Sequence, residues 1–111
     1  MAITVKNIIP CKLVSQVQTT QYTARNCKAV IDKFTVTNTS SLAVTITVNL
    51  VSSGNVPVLG NSIIYNKSLQ AYETYSFPDL VGQVLEPNDY VSTLTSTSGV
   101  LILNASGREI T

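Results

Sequence analysis

The stretch FTVTNTSSLAVTITVNLV, residues 34–51, contains two runs in which every second side chain is apolar. Phe34 and Val36 begin the first run, and residues 44–50 form the second, with Thr or Asn between the apolar positions. Runs that alternate with a period of two and are rich in β-branched residues are typical of strands with one apolar and one polar face. Residues 38–41 are small and polar, as in turns. The stretch therefore predicts two strands joined as an antiparallel hairpin.

Similar short runs follow at intervals of roughly ten residues, and turn-forming residues separate them. They cover residues 12–24, 63–69, 73–80, 90–98 and 100–106. The last run is apolar on both faces, which favours a central strand or one whose outer face is covered by a partner. No run has a helical period. The sequence thus predicts an all-β fold, a single antiparallel β-sandwich of jelly-roll or Ig-like type with seven to eight strands.

With 111 residues the chain is long enough for one domain and too short for two. Residues 1–11 are interpreted as an N-terminal arm or edge strand, because Pro10 lacks a donor for a sheet ladder. Residues 12–111 are the β-sandwich domain. If residues 1–11 form an arm, its apolar side chains are the candidate docking residues; the alternative is an ordinary first strand. These side chains are Ile3, Val5, Ile8 and Ile9.

Charged residues make up only 12% of the chain and the net charge is +1, whereas Thr and Ser number 14 and 12. Such a chain has no basic excess to drive binding to nucleic acid or to anionic lipid, so we expect neither partner. The few charges are unevenly divided. Residues 1–67 hold six basic residues and one acidic; residues 68–111 hold one basic and five acidic. Either folding brings the basic and acidic residues together within one chain, or a basic edge of one copy of the chain contacts an acidic edge of a second copy.

The sequence predicts no enzyme, no catalytic residue, no metal site and no cofactor. It contains no His, which excludes His-based catalysis and most zinc sites. Cys11 and Cys27 are either two small buried residues or, if their strands are neighbours, a disulfide. Residues 1–13 lack the pattern of a secretory signal, and no apolar run is long enough to cross a membrane. We therefore expect synthesis in a cytoplasm.

Two segments of the last third carry turn motifs of the types L-x-G-x-V-L, P-G-D and S-G-x-E. The matching residues are Leu80, Gly82, Val84 and Leu85, then Pro87, Asn88 and Asp89, and finally Ser106, Gly107, Arg108 and Glu109. This part of the chain resembles small structural proteins of tailed-bacteriophage virions. Asn88 replaces the Gly of the motif, and Asn also tolerates a left-handed backbone.

The resemblance implies synthesis in the cytoplasm of a bacterial host and a location in the virion. It also implies a non-enzymatic role as a capsid decoration, or cement, protein that bridges and stabilises shell subunits. The implied partners are the major capsid protein or other virion proteins, together with further copies of the chain in a dimer or trimer. A β-sandwich adaptor of the neck, collar, tail or fibre is the alternative. A glycan-binding adhesion module would share the hydroxyl-rich surface, but the chain has no Trp to stack on a sugar.

Overall fold

The computed structural model describes residues 1–111 as two antiparallel sheets that face each other. The nine strands are β1 (Ile3–Leu13), β2 (Thr19–Thr23), β3 (Lys28–Asn38), β4 (Val44–Val51), β5 (Ser62–Leu69), β6 (Thr74–Ser76), β7 (Val84–Leu85), β8 (Tyr90–Thr95) and β9 (Leu101–Ile110). The first sheet has the order β1-β9-β3-β6, with β7 also paired to β3. The second sheet has the order β2-β8-β4-β5. A single 3₁₀ turn, Leu59–Asn61, precedes β5.

The pairing is nested about the middle of the chain. Strand β4 pairs with β5, β3 with β6 and β7, β2 with β8, and β1 with β9. The chain is thus one long ribbon, folded back at residues 52–61 and wound across both sheets, which is the jelly-roll arrangement. The predicted all-β antiparallel sandwich is confirmed. The strands number nine because residues 77–83, which include Pro78, separate β6 from β7 along the same partner strand.

The hairpin predicted for residues 34–51 is wrong. Strands β3 and β4 both exist, but β3 lies in the first sheet and β4 in the second. Residues 39–43 form an arch that carries the chain across the sandwich. Period-two alternation shows only that each strand has one apolar face. Two such faces can lie in one sheet or face each other across a core, and here they face each other.

Asn38 holds this arch in place and is completely buried. Its Nδ2 donates to the carbonyl oxygens of Leu42 (2.8 Å), Leu69 (3.1 Å) and Gln70 (3.1 Å). Its Oδ1 accepts from the backbone N–H of Ser40 at 2.9 Å. The side chain therefore joins the β3–β4 arch to the β5–β6 connection by donating to backbone carbonyls of both.

The apolar faces of both sheets form one core of 21 residues. Phe34 and Phe77 meet edge to face at its centre, with ring centroids 5.9 Å apart. Strand β9 lies between β1 and β3, as predicted for the run that is apolar on both faces. The chain has no helix with the length and hydrophobicity needed to span a bilayer.

Residues 3–13 form β1 at the edge of the first sheet, where they pair with β9 and continue directly into the rest of the sandwich. The strand runs through Pro10 instead of ending there. Because β1 has a neighbour on one side only, a missing N–H is tolerated. The register of β1 on β9 shifts twice, between Lys6 and Ile9 and between Ile9 and Lys12. Such irregularities disfavour the addition of another strand along this edge.

Candidate functional site

The two sheets differ in charge. The strands of the second sheet contain one charged residue, Lys67, whereas β1, β3 and β9 of the first sheet contain seven. No charged residue occurs between Phe34 and Asn66. The outer faces of the sandwich are therefore two chemically distinct surfaces, and each offers a candidate for binding.

The outer face of the first sheet carries a row of apolar side chains, here called the apolar band: Ile3, Val5, Val30, Val84 and Ile110. Directly opposed residues of paired strands lie on the same face. Ile3 opposes Ile110, while Val30 opposes both Arg108 and Val84. Ile3 is 56% exposed, Val5 81% and Val84 51%. The band crosses the sheet from edge strand β1 to β7.

Two ion pairs lie beside the apolar band. Arg108 lies between Val5 and Val30 and binds both carboxylate oxygens of Asp32 at 2.9–3.2 Å. Lys28 Nζ lies 3.5 Å from Glu86 Oε2. The charges on this face are thus largely compensated within the chain. An exposed apolar strip with polar and charged groups at its rim is typical of a surface that another protein covers.

The four predicted docking residues do not lie together. Ile3 and Val5 belong to the apolar band. Ile8 and Ile9 lie in the core, at 5% and 0% exposure, because the register shifts after Lys6 turn this part of β1 inward. Only Ile3 and Val5 are accessible to a partner.

The uneven charge distribution along the sequence is explained by the nested pairing. The two halves of the ribbon run side by side, so Lys6 lies 3.2 Å from Glu109, and Lys28 pairs with Glu86. Folding therefore interleaves the basic half with the acidic half. The remaining cations without a carboxylate within 4.0 Å are Lys12, Arg25, Lys33 and Lys67.

Glu109 is part of a polar cluster at the end of the sandwich. Its Oε2 accepts a short hydrogen bond from the Tyr22 hydroxyl, and Lys6 reaches its other oxygen. The Tyr22 hydrogen bond, followed by Lys6, lowers the pKa of Glu109. Burial raises the pKa of Tyr22, and the Glu109 carboxylate raises it further. Burial likewise raises the pKa of the Cys27 thiol. The lowered pKa of Glu109 and the raised pKa of Tyr22 both favour the hydrogen bond that joins β9 to β2.

The cysteines are free thiols. Cys27 is buried, but Cys11 is exposed on β1, where its Sγ accepts from Asn104 Nδ2 at 3.1 Å. The interpretation of both as small buried residues is therefore wrong for Cys11. Its side chain lies on the edge strand, outside the core.

The first and the last of the turn motifs in the last third of the chain pack against Val30 and Ile31, near the start of β3. The N–H of Gly82, at φ 86°, donates to the carbonyl oxygen of Ile31 at 2.7 Å. Gly107 approaches Val30 so closely that a Cβ built on it would lie 2.1 Å from the Val30 carbonyl oxygen. Asn88 adopts the left-handed backbone expected of it, with φ 71°. These motif residues determine packing and turns, and none of them forms a reactive site.

The outer face of the second sheet contains a groove with a volume of ≈ 340 Å³. It is lined by Gln18, Thr47, Asn49, Pro57, Val58, Leu59, Ser62, Tyr65, Asn66 and Leu94. Strands β4 and β8 form its floor, and β5 and residues 57–59 form one wall. Every lining residue is uncharged. No motif in the sequence predicts this groove, although most of its lining belongs to the charge-free stretch that ends at Asn66.

A hydrogen-bond network fixes the shape of the groove. Asn49 on β4 is 3% exposed, and its Nδ2 donates to Val58 O (3.0 Å), Asn61 Oδ1 (2.8 Å) and Ser62 Oγ (3.1 Å). Asn61 in turn accepts from the N–H of Val58 at 3.1 Å. The loop before β5 is therefore fastened to the sheet, and the groove is preformed.

Comparisons of the chain with protein-family models, with curated proteins and with solved structures found no match.

Proposed function

We propose that this chain is a non-enzymatic structural protein of a bacteriophage virion, a capsid decoration protein that bridges shell subunits and resists their separation. The observation that carries the proposal is the apolar band on the outer face of the first sheet. Jelly-roll domains recur in viral capsid proteins, which supports the virion assignment at the level of fold. The turn motifs of the last third support it at the level of sequence.

The band is suited to a repetitive shell. Its exposed apolar side chains, Ile3, Val5 and Val84, lie on strands of a rigid sheet and need no rearrangement to make contact. The exposed apolar area of the band is modest, so a single contact between the band and a shell subunit is weak. Many identical weak contacts on a shell become durable through multivalency, particularly if the chain itself forms a dimer or trimer. The partner proposed for the band is the major capsid protein.

An adaptor in the neck, collar or tail would use the same band and is the second candidate. Copy number separates the two. Quantitative gel staining of particles purified from the phage that encodes the chain should give hundreds of copies per particle for a decoration protein. A value of tens or fewer would favour the adaptor, and absence from the particle would refute both.

The docking surface is tested by replacing Ile3 and Val5 together with Ser. Because both side chains are largely exposed, we expect the fold to persist and binding to particles that lack the protein to weaken about tenfold or more. Cosedimentation with those particles measures the change. Leu42→Ser, at a side chain 73% exposed on the β3–β4 arch, is the matched control and should bind normally.

Equal binding by the double variant and the wild-type protein would exclude the apolar band as the docking surface. Substitution is preferable to deletion of residues 1–9. Deletion would remove Ile8 and Ile9 from the core, so that a loss of binding could not be separated from a loss of folding.

A further inference from the structure

The groove on the second sheet has no role in the docking proposed above, because that docking uses the opposite face of the sandwich. We infer that the groove is a binding site for a neutral oligosaccharide. This inference does not depend on the proposed virion function, and either can fail without the other. Four features of the groove support it: its neutrality, its rigidity, its unused hydrogen-bonding groups and its exposed aromatic ring.

Neutrality restricts the class of ligand. None of the ten lining residues is charged. The nearest charge along β5, Lys67, is directed away from the groove, with its ammonium 4.7 Å from the centre of the Tyr75 ring in the first sheet. An anionic or cationic ligand would give up hydration in the groove without gaining an opposite charge. An uncharged, polyhydroxylated ligand avoids this cost.

The rigidity of the groove favours binding of a ligand, such as a sugar, that forms many individually weak contacts. Asn49 and Asn61 fix the loop over the sheet, while Thr47 Oγ1 donates to Asn66 Oδ1 at 3.2 Å and accepts from its N–H at 3.0 Å. The lining groups are therefore already oriented before a ligand arrives. Binding to a preformed site avoids much of the conformational entropy that a flexible site would lose.

Two amides at the groove retain free hydrogen-bonding capacity. Gln18 uses its Nε2 internally, to Ser92 Oγ at 2.8 Å and Asn49 Oδ1 at 3.3 Å, while the residue is exposed and its Oε1 has no hydrogen-bond partner within the chain. The Oδ1 of Asn66 accepts from Thr47, while the residue is exposed and its Nδ2 has no hydrogen-bond partner within the chain. The groove thus offers one acceptor, Gln18 Oε1, and the two N–H donors of Asn66 Nδ2. A sugar hydroxyl both donates and accepts, so adjacent hydroxyls can satisfy both amides.

Tyr65 supplies the apolar contact. Its ring is 62% exposed at the groove, close to Val58 and Leu59. A sugar ring has an apolar face of C–H groups that an aromatic ring can cover, while the Tyr hydroxyl stays available for hydrogen bonding. The volume of ≈ 340 Å³ is at the small end of ligand sites, which are about 300–1,000 Å³, and suits a short saccharide.

A peptide strand added to the edge of β5 is the competing occupant. The edge is poorly formed for it, because the pairing of β5 with β4 shifts register twice and Asn66 has φ 46°. An irregular edge disrupts the regular row of N–H and C=O groups that strand addition requires. The side-chain groups of the groove, not this edge, are the better-formed binding feature.

The test is a titration of the ¹⁵N-labelled full chain, followed by NMR, with neutral gluco-, manno- and N-acetylglucosamine hexaoses. Oligogalacturonate of matched length serves as the anionic probe. We expect at least one neutral oligosaccharide to shift the amide signals of Gln18, Asn49 and Asn66, and oligogalacturonate to leave them unchanged. Tyr65→Ala should weaken that binding about tenfold, since it removes the stacking surface.

Tyr72→Ala is the control, because Tyr72 is 70% exposed and lies outside the groove. It should change the affinity less than twofold. Three outcomes would overturn the inference: no shift in the groove with any of the neutral probes, an equal response to oligogalacturonate, or equal effects of the two Tyr substitutions. Shifts confined to the backbone of β5, produced by an extended peptide and not by the sugars, would identify strand addition instead.

Discussion

Gly107→Ala is expected to be the most damaging single methyl addition in this chain. Gly107 lies on β9 opposite Ile31 of β3. A Cβ at this position would be 2.1 Å from the carbonyl oxygen of Val30 and 3.1 Å from its carbonyl carbon. Both obstructing atoms belong to the backbone of a paired strand. Rotation of a side chain cannot relieve the overlap, so the two strands would have to separate.

The magnitude follows from the depth of the overlap. Overpacking in a core usually costs 1–3 kcal/mol, and a clash with backbone of more than an ångström is at the upper end, about 3 kcal/mol. Such a loss is a large part of the 5–15 kcal/mol that is typical of a domain. The melting temperature should fall by about 12–24 °C. Urea unfolding followed by circular dichroism, with a thermal scan, measures both quantities.

Gly60→Ala is the matched control. Its added Cβ would have no atom within 4 Å, and its φ is not in the left-handed region. Ala at this site should be neutral, or stabilising by about 0.4–1 kcal/mol through a less flexible unfolded chain. If the two variants had the same stability, the proposed close approach of β9 to β3 would be refuted.

Two further predictions concern buried polar groups. Asn38→Ala should destabilise the domain by about 3 kcal/mol, because the carbonyls of Leu69 and Gln70 lose a buried donor; a urea midpoint within error of wild type would contradict the role assigned to this side chain. The lowered pKa of Glu109 means that its contribution is complete above the ordinary value of 4.5 and is lost as the pH falls through the folded-state pKa. Tyr22→Phe removes the main cause of that shift, so the stability gap between wild type and variant should narrow from pH 7 to pH 3, and a gap that stays constant would exclude the linkage.

The sequence by itself determined the class of fold. Alternating apolar and hydroxylated residues in short runs require strands with one buried face, and the prediction of a sandwich is confirmed. The run that is apolar on both faces predicts either a central strand or one covered by a partner, and β9 is central, between β1 and β3. These are local properties that a run of residues has wherever it lies in the fold.

The prediction of the docking residues depended on the register of β1 against β9. Only some of the predicted residues are exposed. Ile3 and Val5 are exposed, but the shifts in register after Lys6 bury Ile8 and Ile9. A bulge reverses the face on which later side chains lie, and nothing in the spacing of the apolar residues marks where it occurs.

Only the tertiary structure decided which strands pair. The hairpin expected at residues 34–51 is an arch between the two sheets, and Asn38 at its start binds Leu69 and Gln70, about thirty residues away. The groove likewise forms where Gln18, Asn49 and Asn66, distant along the chain, meet on one sheet. Contacts between remote residues depend on how the whole ribbon winds. Local periodicity determines which side chains of a strand can be buried. The path of the ribbon through the two sheets determines which other residues those side chains contact.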